Sequence, residues 1–189
     1  MIQFAEFFYL LSEGRISKIC RDAYIFAAAA HAGQLRKYTG EDYILHPLKV
    51  AQMIHHHNLS YEAIAAAILH DTVEDTGVRE EDIKHHFGHE VAVLVKGLTD
   101  VSCEADGNRA VRKAKDLVHI AKQTPLCKTI KLADLIDNSS SIAQYDPNFA
   151  KIYMKEKKDL LEVLGEGNEN LYWQAKKIVG NYFANVENR

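Results

Sequence analysis

Apolar residues follow a helical period along most of the chain: they recur three or four positions apart and seldom alternate with polar ones. That spacing is typical of helices with one buried face, whereas half-buried strands show a period of two. Only three prolines interrupt the 189 residues. We therefore predict an all-α fold, a compact bundle of about eight to ten helices. The predicted helices cover residues 2–11, 17–32, 47–58, 60–75, 79–87, 89–98, 109–122, 126–142, 147–164 and 168–186.

Turn-forming residues mark where these helices begin and end. Residues 33–43 show no apolar periodicity, so we expect a loop there. Pro47 suits the first turn of a helix, which places His46 at the mouth of that helix. Ser60 is a suitable N-cap for the central helix, and Gly88 is expected to separate two helices.

Composition narrows the class of protein. The length and a hydrophobic content of 47% are sufficient for one domain that covers residues 1–189. Three widely spaced cysteines form no CxxC pair, so neither a disulfide framework nor a zinc knuckle is expected. The amino terminus has neither a basic region nor an apolar run long enough for a signal or a membrane span. We predict a cytoplasmic protein that does not bind a membrane.

The charge distribution bears on the choice of partner. The formal net charge is −3, and the 23 lysines and arginines are scattered through the sequence without forming a basic stripe. Such a stripe is what neutralises a phosphate backbone. A nucleic-acid polymer is therefore not an expected partner, while homo-oligomer formation is left open.

The candidate chemistry begins where the alanine-rich central helix ends, at His70-Asp71-Thr72-Val73-Glu74-Asp75. On a continuous helix, His70 and Glu74 are stacked, as are Asp71 and Asp75. An imidazole and a carboxylate at neighbouring positions can hold one metal ion, and the following carboxylates can orient or deprotonate its water. The alternative is a helix end whose acidic residues are simply solvated.

Two further groups strengthen the metal interpretation. His46 lies at a predicted helix start, and Asp134 follows Leu132 and Ala133 on a helix face that is expected to be buried. A buried carboxylate is costly unless it is paired or bound to a metal. Two imidazoles and two carboxylates make a mixed shell that suits manganese, iron or zinc better than calcium.

Four motifs, in this order, resemble those of a known family. They are His31-Ala32-Gly33-Gln34-Leu35-Arg36-Lys37, Gly40-Glu41-Asp42-Tyr43-Ile44-Leu45-His46-Pro47, His70-Asp71-Thr72-Val73-Glu74-Asp75-Thr76 and Lys131-Leu132-Ala133-Asp134. They resemble the HD-domain hydrolase region of the RelA/SpoT alarmone enzymes, and equally the small stand-alone alarmone hydrolases. The resemblance covers residues 19–142, with C-terminal helices at 147–186 beyond it. The short chain favours the stand-alone type.

The resemblance implies a role for each matched residue. His46, His70, Asp71 and Asp134 are expected to hold one manganese ion, with iron or zinc as alternatives. Glu74 and Asp75 are expected to assist the attacking water. Such a metal lowers the pKa of water and polarises a phosphoryl oxygen, while a carboxylate receives the proton.

Substrate contacts are expected from a second group of residues. Arginine can both stack on a purine and bind phosphate with its planar fork, and the resemblance places Arg36 and Lys37 over the nucleotide. The alternative for this pair is a solvated loop. Asn138 lies one helical turn after Asp134 and is expected to contact the nucleoside. Tyr43 and Ser141 complete the predicted substrate-binding set.

Some residues depart from the pattern or stay outside it. Leu135 stands where the family usually has a basic residue, and Asp137 where it has an aromatic or histidine residue, which bears on the choice of substrate. Asp42 replaces a proline in the loop. His31 is expected to be a core histidine or one that supports a ligand. Consecutive residues point around a helix, so His55-His56-His57 is not expected to bind one ion.

The resemblance implies hydrolysis of the 3′-pyrophosphate of guanosine tetra- or pentaphosphate, (p)ppGpp, which gives GDP or GTP and pyrophosphate. A close alternative is an NADPH 2′-phosphatase or another nucleotide phosphohydrolase that uses the same residues. A second alternative is a catalytically silent nucleotide-binding module. A deoxynucleotidase or cyclic-dinucleotide phosphodiesterase is a minor alternative, because their signature motifs are missing from the sequence.

Overall fold

The protein is described by a computed structural model that covers residues 3–187, without the side chains of Ser140 and Glu187. Helices account for almost all regular structure in that range, with one isolated antiparallel bridge between Leu35 and Asp42. The predicted all-α fold is confirmed. The predicted start of the first helix at Ile2 lies outside the described residues.

The chain divides into two units, the first ending at Thr99 and the second beginning at Asp100. The single-domain prediction for residues 1–189 stays a prediction. Within the described range, no helix is both long enough and apolar enough to cross a membrane.

The first unit is built around one helix that is buried on every side. Its helices are α1 (Phe4–Ser12), α2 (Lys18–Ala30), α3 (Leu45–His56), α4 (Tyr61–Leu69), α5 (Thr72–Asp75) and α6 (Glu80–Leu98). Every residue of α4 from Ala63 to Leu69 is buried, and α4 packs against α2, α3 and α6. Its four alanines allow these neighbours to approach closely, since small side chains keep helix axes near one another. The residues that follow α4 are therefore held at a fixed place.

Capping and turn residues act largely as the sequence predicts. The Ser60 side chain accepts a hydrogen bond from the Ala63 amide at 3.2 Å. Gly88 adopts φ 85° and interrupts α6, as expected of the residue that separates two predicted helices. That φ lies in the left-handed region, which glycine enters without the penalty a Cβ would bring.

The central helix is shorter than predicted. It was expected to continue to Asp75, but α4 ends at Leu69 and the separate turn α5 starts at Thr72. Side-chain donors explain the break: His70 Nδ1 lies 2.8 Å from the Ala67 carbonyl, and Thr72 Oγ1 lies 2.7 Å from the Leu69 carbonyl. These side chains bind carbonyls that a continuing helix would otherwise bond through its own amides.

The second unit is organised around a long helix. Its helices are α7 (Arg109–Ala121), α8 (Pro125–Tyr145), α9 (Pro147–Leu161) and α10 (Glu169–Glu187), preceded by a short 3-10 turn (Glu104–Asp106). Both α9 and α10 pack against α8. Gly167 makes this packing close, because a Cβ there would lie 2.8 Å from Leu132 Cδ1 and 3.1 Å from the Thr129 amide nitrogen.

Candidate active site

The first unit brings two imidazoles and one carboxylate together. His46, in the first turn of α3, and His70, after α4, are 1% and 2% exposed. His46 Nε2 lies 3.5 Å from Asp71 Oδ2, and His70 Nε2 lies 3.2 Å from Asp71 Oδ1. The two imidazole rings meet edge to face with centroids 5.2 Å apart. Three of the predicted metal ligands therefore converge.

The hydrogen bond of His70 Nδ1 to the Ala67 carbonyl determines which ring nitrogen faces the Asp71 carboxylate. A carbonyl can only accept, so the contact between His70 Nδ1 and the Ala67 carbonyl places the hydrogen on Nδ1. In the neutral ring, the Nε2 lone pair then points towards Asp71. A nitrogen lone pair and a carboxylate oxygen this close repel each other unless a cation lies near both. This donor set fits a divalent metal ion.

Tyr43 joins the predicted metal ligand Asp71 to the predicted proton acceptor Asp75. Its hydroxyl lies 2.8 Å from Asp71 Oδ2 and 2.8 Å from Asp75 Oδ2. Burial, followed by the charges of Asp71 and Asp75, raises the pKa of the Tyr43 phenol above its ordinary value. The phenol therefore stays protonated and serves as a donor. It carries one hydrogen and donates to one carboxylate at a time.

Asp75 and Glu74 are both exposed on α5, and Asp75 also contacts the Tyr43 hydroxyl. Partial burial of the carboxyl, followed by the charge of Asp71, raises the pKa of Asp75 above its ordinary value. A raised pKa makes a carboxylate a better proton acceptor. The predicted stacking of Glu74 on His70 assumed one continuous helix, but α4 ends at Leu69 and Glu74 is exposed on the separate α5.

The predicted substrate loop is an ordered hairpin. The Arg36 amide donates to the Glu41 carbonyl at 2.8 Å, and the Gly40 amide donates to the Arg36 carbonyl at 2.9 Å. The Arg36 guanidinium lies 5.9 Å from the centroid of the Tyr43 ring. The Lys37 ammonium lies 5.0 Å from the centroid of the Tyr38 ring. The period of apolar side chains could not predict this hairpin, because main-chain hydrogen bonds hold it together.

In the second unit, Asp134 is buried on α8 as the sequence predicts, with 6% of its surface exposed. Lys131 Nζ lies 3.0 Å from Asp134 Oδ2, and Asn138 Nδ2 donates to Asp134 Oδ1. Ser141 Oγ donates to the Asn138 carbonyl at 3.2 Å. Asn138 and Ser141 thus lie on consecutive turns after Asp134. The ion pair with Lys131 was not predicted, although its three-residue spacing is a sequence signal for one.

The second unit also contains a lysine that sequence analysis did not single out. Lys157, on α9, is half-buried, and its ammonium lies 4.7 Å from the centroid of the Tyr153 ring. Burial, followed by repulsion from Lys131, lowers the pKa of Lys157 to about 8. No spacing or motif in the sequence indicates this environment.

These features define a class: an all-α protein with buried histidine and aspartate groups suited to a divalent metal ion. Comparison with known proteins identifies the family within this class. Residues 23–164 match the family model described as HD domain, and the chain belongs to that family.

The chain is also similar to several named proteins. It is 34% identical over 173 residues to a guanosine-3′,5′-bis(diphosphate) 3′-pyrophosphohydrolase from Aquifex aeolicus, a match that covers 88% of this chain and 25% of the relative. A protein of the same name from Vibrio cholerae is 36% identical over 141 residues, covering 73% of this chain and 20% of the relative. The chain thus spans a quarter or less of these relatives.

One solved structure matches over nearly its whole length. It is a metazoan ortholog of SpoT that hydrolyses ppGpp, with a TM-score of 0.79 and 28% sequence identity. The match covers 87% of this chain and 96% of that chain.

Proposed function

We propose that this protein hydrolyses the 3′-pyrophosphate of (p)ppGpp in a metal-dependent reaction that gives GDP or GTP and pyrophosphate. The observation that carries the proposal is the convergence of His46, His70 and Asp71, with Asp75 joined to Asp71 through Tyr43. The names of the similar hydrolases and the activity of the metazoan SpoT ortholog supply the substrate class.

We propose that His46, His70, Asp71 and Asp134 hold one manganese ion. His46, His70 and Asp134 are buried, and each offers one ligand atom of the nitrogen or oxygen type that such an ion binds. When bound, a divalent ion lowers the pKa of water and neutralises charge on a phosphoryl group. The hydrogen bond from His70 Nδ1 to the Ala67 carbonyl fixes the ring orientation that this role requires.

The acidic pair supplies the proton chemistry of the proposal. Asp75 accepts the proton of the attacking water as the water oxygen bonds to phosphorus. The bond from phosphorus to the ribose 3′-oxygen breaks, the 3′-oxygen takes up a proton from solvent to become the 3′-hydroxyl, and Asp75 returns its proton to solvent. Its raised pKa suits this role, because acceptance becomes more favourable as the pKa approaches the working pH. Glu74 is exposed next to it on α5 and is proposed to assist the water.

The remaining predicted residues are proposed to hold the nucleotide. Arg36 presents a planar cation on an ordered hairpin and can stack on a base or bind phosphate. Lys37 adds a second positive charge on the same hairpin. Asn138 and Ser141 are proposed to contact the nucleoside, and their positions after Asp134 on α8 are consistent with this.

The test is release of pyrophosphate from ppGpp by the purified protein with Mn²⁺, in parallel with phosphate release from NADPH. We expect His70→Ala and Asp75→Ala to abolish pyrophosphate release. His57→Ala, at the end of the helix that carries His46, is the control and should retain full activity. Equal turnover by all four proteins would overturn the assignment, and ppGpp binding without product would indicate the silent module instead.

A further inference from the structure

Tyr43 makes contacts within the protein through both its ring and its hydroxyl. Its ring is stacked against the buried His31, with centroids 4.8 Å apart and an interplanar angle of 30°. Arg36 lies over the ring at 5.9 Å from the centroid. The hydroxyl ends between Asp71 and Asp75, at 2.8 Å from each. Both the ring and the hydroxyl are therefore engaged by the protein itself.

A second set of contacts connects the base of the hairpin to the same acidic turn. The Tyr43 amide donates to the Gln34 carbonyl at 3.0 Å. The Gln34 side chain donates to the Asp75 main-chain carbonyl at 2.9 Å, and its Oε1 lies 2.7 Å from His31 Nδ1. The hairpin is thus tied to Asp75 at both the main chain and the carboxylate.

We propose that Tyr43 is a positioning residue, which fixes Asp71 and Asp75 relative to each other and ties them to the hairpin that carries Arg36 and Lys37. This inference rests on the proposed function, in which Asp71 holds the metal and Asp75 accepts the proton. It assigns Tyr43 a role other than the substrate contact that the sequence analysis predicts.

The physical reason is the mutual repulsion of two neighbouring carboxylates. The single hydroxyl hydrogen, which donates to one carboxylate or the other, offsets part of that repulsion while the phenol oxygen lies 2.8 Å from both carboxylates. Stacking on His31 favours this position of the ring, and the bond from the Tyr43 amide to the Gln34 carbonyl holds its main chain. Without the hydroxyl, Asp71 and Asp75 separate and the metal ligand loses its orientation. Groups that orient a ligand typically contribute about 10- to 100-fold in metal affinity or activity.

Tyr43→Phe tests the proposal, because phenylalanine keeps the ring that packs on His31 and Arg36. We expect kcat for pyrophosphate release to fall about 10- to 100-fold, with KM for ppGpp changed less than about twofold. Affinity for Mn²⁺ alone, measured by calorimetric titration, should fall about 10-fold or more. Tyr61→Phe is the matched control: this exposed tyrosine begins α4, the helix that leads to His70, and its variant should behave as wild type.

Gln34→Leu supplies a second variant. It removes the bond to the Asp75 carbonyl while it leaves the Tyr43 hydroxyl in place. We expect the same division between kcat and KM with a smaller loss of kcat. Thermal unfolding of each variant separates lost orientation from lost folding.

Each outcome decides the question. A raised KM with unchanged kcat in Tyr43→Phe would make Tyr43 a substrate contact and overturn the inference. Unchanged Mn²⁺ affinity and unchanged kcat would also overturn it. A wild-type protein that binds Mn²⁺ but releases no pyrophosphate would refute the proposed function alone, and the loss of Mn²⁺ affinity in Tyr43→Phe would still support the positioning role. A wild-type protein that binds no Mn²⁺ would overturn both.

Discussion

The carboxylates of the two units differ in burial and in partners: Asp71 is half-buried and Asp75 is exposed in the first unit, whereas Asp116 and Asp134 are buried in the second. In the first unit, Asp71 and Asp75 contact imidazoles and a phenol, and no lysine or arginine pairs with either of them among the described residues. In the second unit, Asp116 and Asp134 each have a lysine partner. Burial of a carboxylate is costly without a compensating charge. In the proposed site, the metal ion would supply the positive charge that Asp71 does not receive from a lysine or arginine.

The second unit shows what complete compensation looks like. Asp116 is 6% exposed and accepts bonds from the Val101 and Ser102 amides at 3.1 and 2.9 Å, and from Ser102 Oγ at 2.8 Å. Lys113 Nζ lies 3.4 Å from Asp116 and also binds Asp100. Burial acts against ionisation of Asp100, but the positive charges of Lys131 and Lys113 outweigh it and lower its pKa.

Asp71→Asn should have the largest effect on activity and little effect on folding. The substitution keeps the shape of the side chain but removes the charge that faces His46 and His70. We expect pyrophosphate release to fall about 10²- to 10³-fold, as for removal of other fixed charge-stabilising groups in active sites. The free energy of unfolding should be unchanged or higher, because repulsion of Asp75 is relieved. Both are measured on one preparation, by turnover and by urea unfolding.

A large loss of stability in Asp71→Asn would break the comparison, because it would show that Asp71 is already compensated by the protein.

Asp116→Asn should show the reverse behaviour. It leaves Lys113 with one fewer carboxylate and removes a charge that two amides and a hydroxyl bind. We expect the free energy of unfolding to fall by about 2 to 4 kcal/mol, as for other broken buried pairs. Urea unfolding at pH 7 gives the value. Asp22→Asn, in the exposed Lys18–Asp22 pair of α2, is the control and should unfold as wild type.

An Asp116→Asn protein as stable as wild type would show that the network around Asp116 contributes nothing, and the contrast between the units would disappear.

The sequence predicts much of this arrangement, for reasons that individual residues show. The spacing of apolar residues, three or four positions apart, predicts the helices. Ser60 and Gly88 could be predicted as helix boundaries because their roles depend only on local backbone geometry. The position of His46 follows from Pro47, and the burial of Asp134 follows from its apolar neighbours.

The missed features depend on tertiary structure or on competing side-chain bonds. Tyr43 bridges Asp71 and Asp75 because the fold brings these residues, 28 and 32 positions later in the chain, next to it. The early end of α4 results from bonds made by His70 and Thr72, which a periodicity argument does not weigh. The low pKa of Lys157 arises from its burial on α9 and from Lys131 on α8, which lie far apart in the sequence.

Lys157→Met tests a half-buried cation of the second unit and should have the smallest overall effect of these variants. The pKa of Lys157 is about 8 in the folded protein against an ordinary value of 10.5. Folding therefore carries a cost that develops as the pH falls from 10.5 and is complete below about 8. Methionine removes that cost, so we expect a gain of about 1 to 2 kcal/mol at pH 7.

The gain in Lys157→Met should shrink as the pH rises past 10.5, where the lysine is neutral in both states. Urea unfolding at pH 7 and at higher pH measures the difference. A variant that is less stable than wild type at pH 7 would show that the charged lysine stabilises the second unit.

Binding of Mn²⁺ to the purified protein, measured by equilibrium dialysis, tests the central claim most directly. We predict one tightly bound ion per chain for the wild type and for Asp116→Asn, and none for His70→Ala or Asp134→Ala. Retention of the ion by His70→Ala or Asp134→Ala, or its loss from a folded Asp116→Asn protein, would contradict the account.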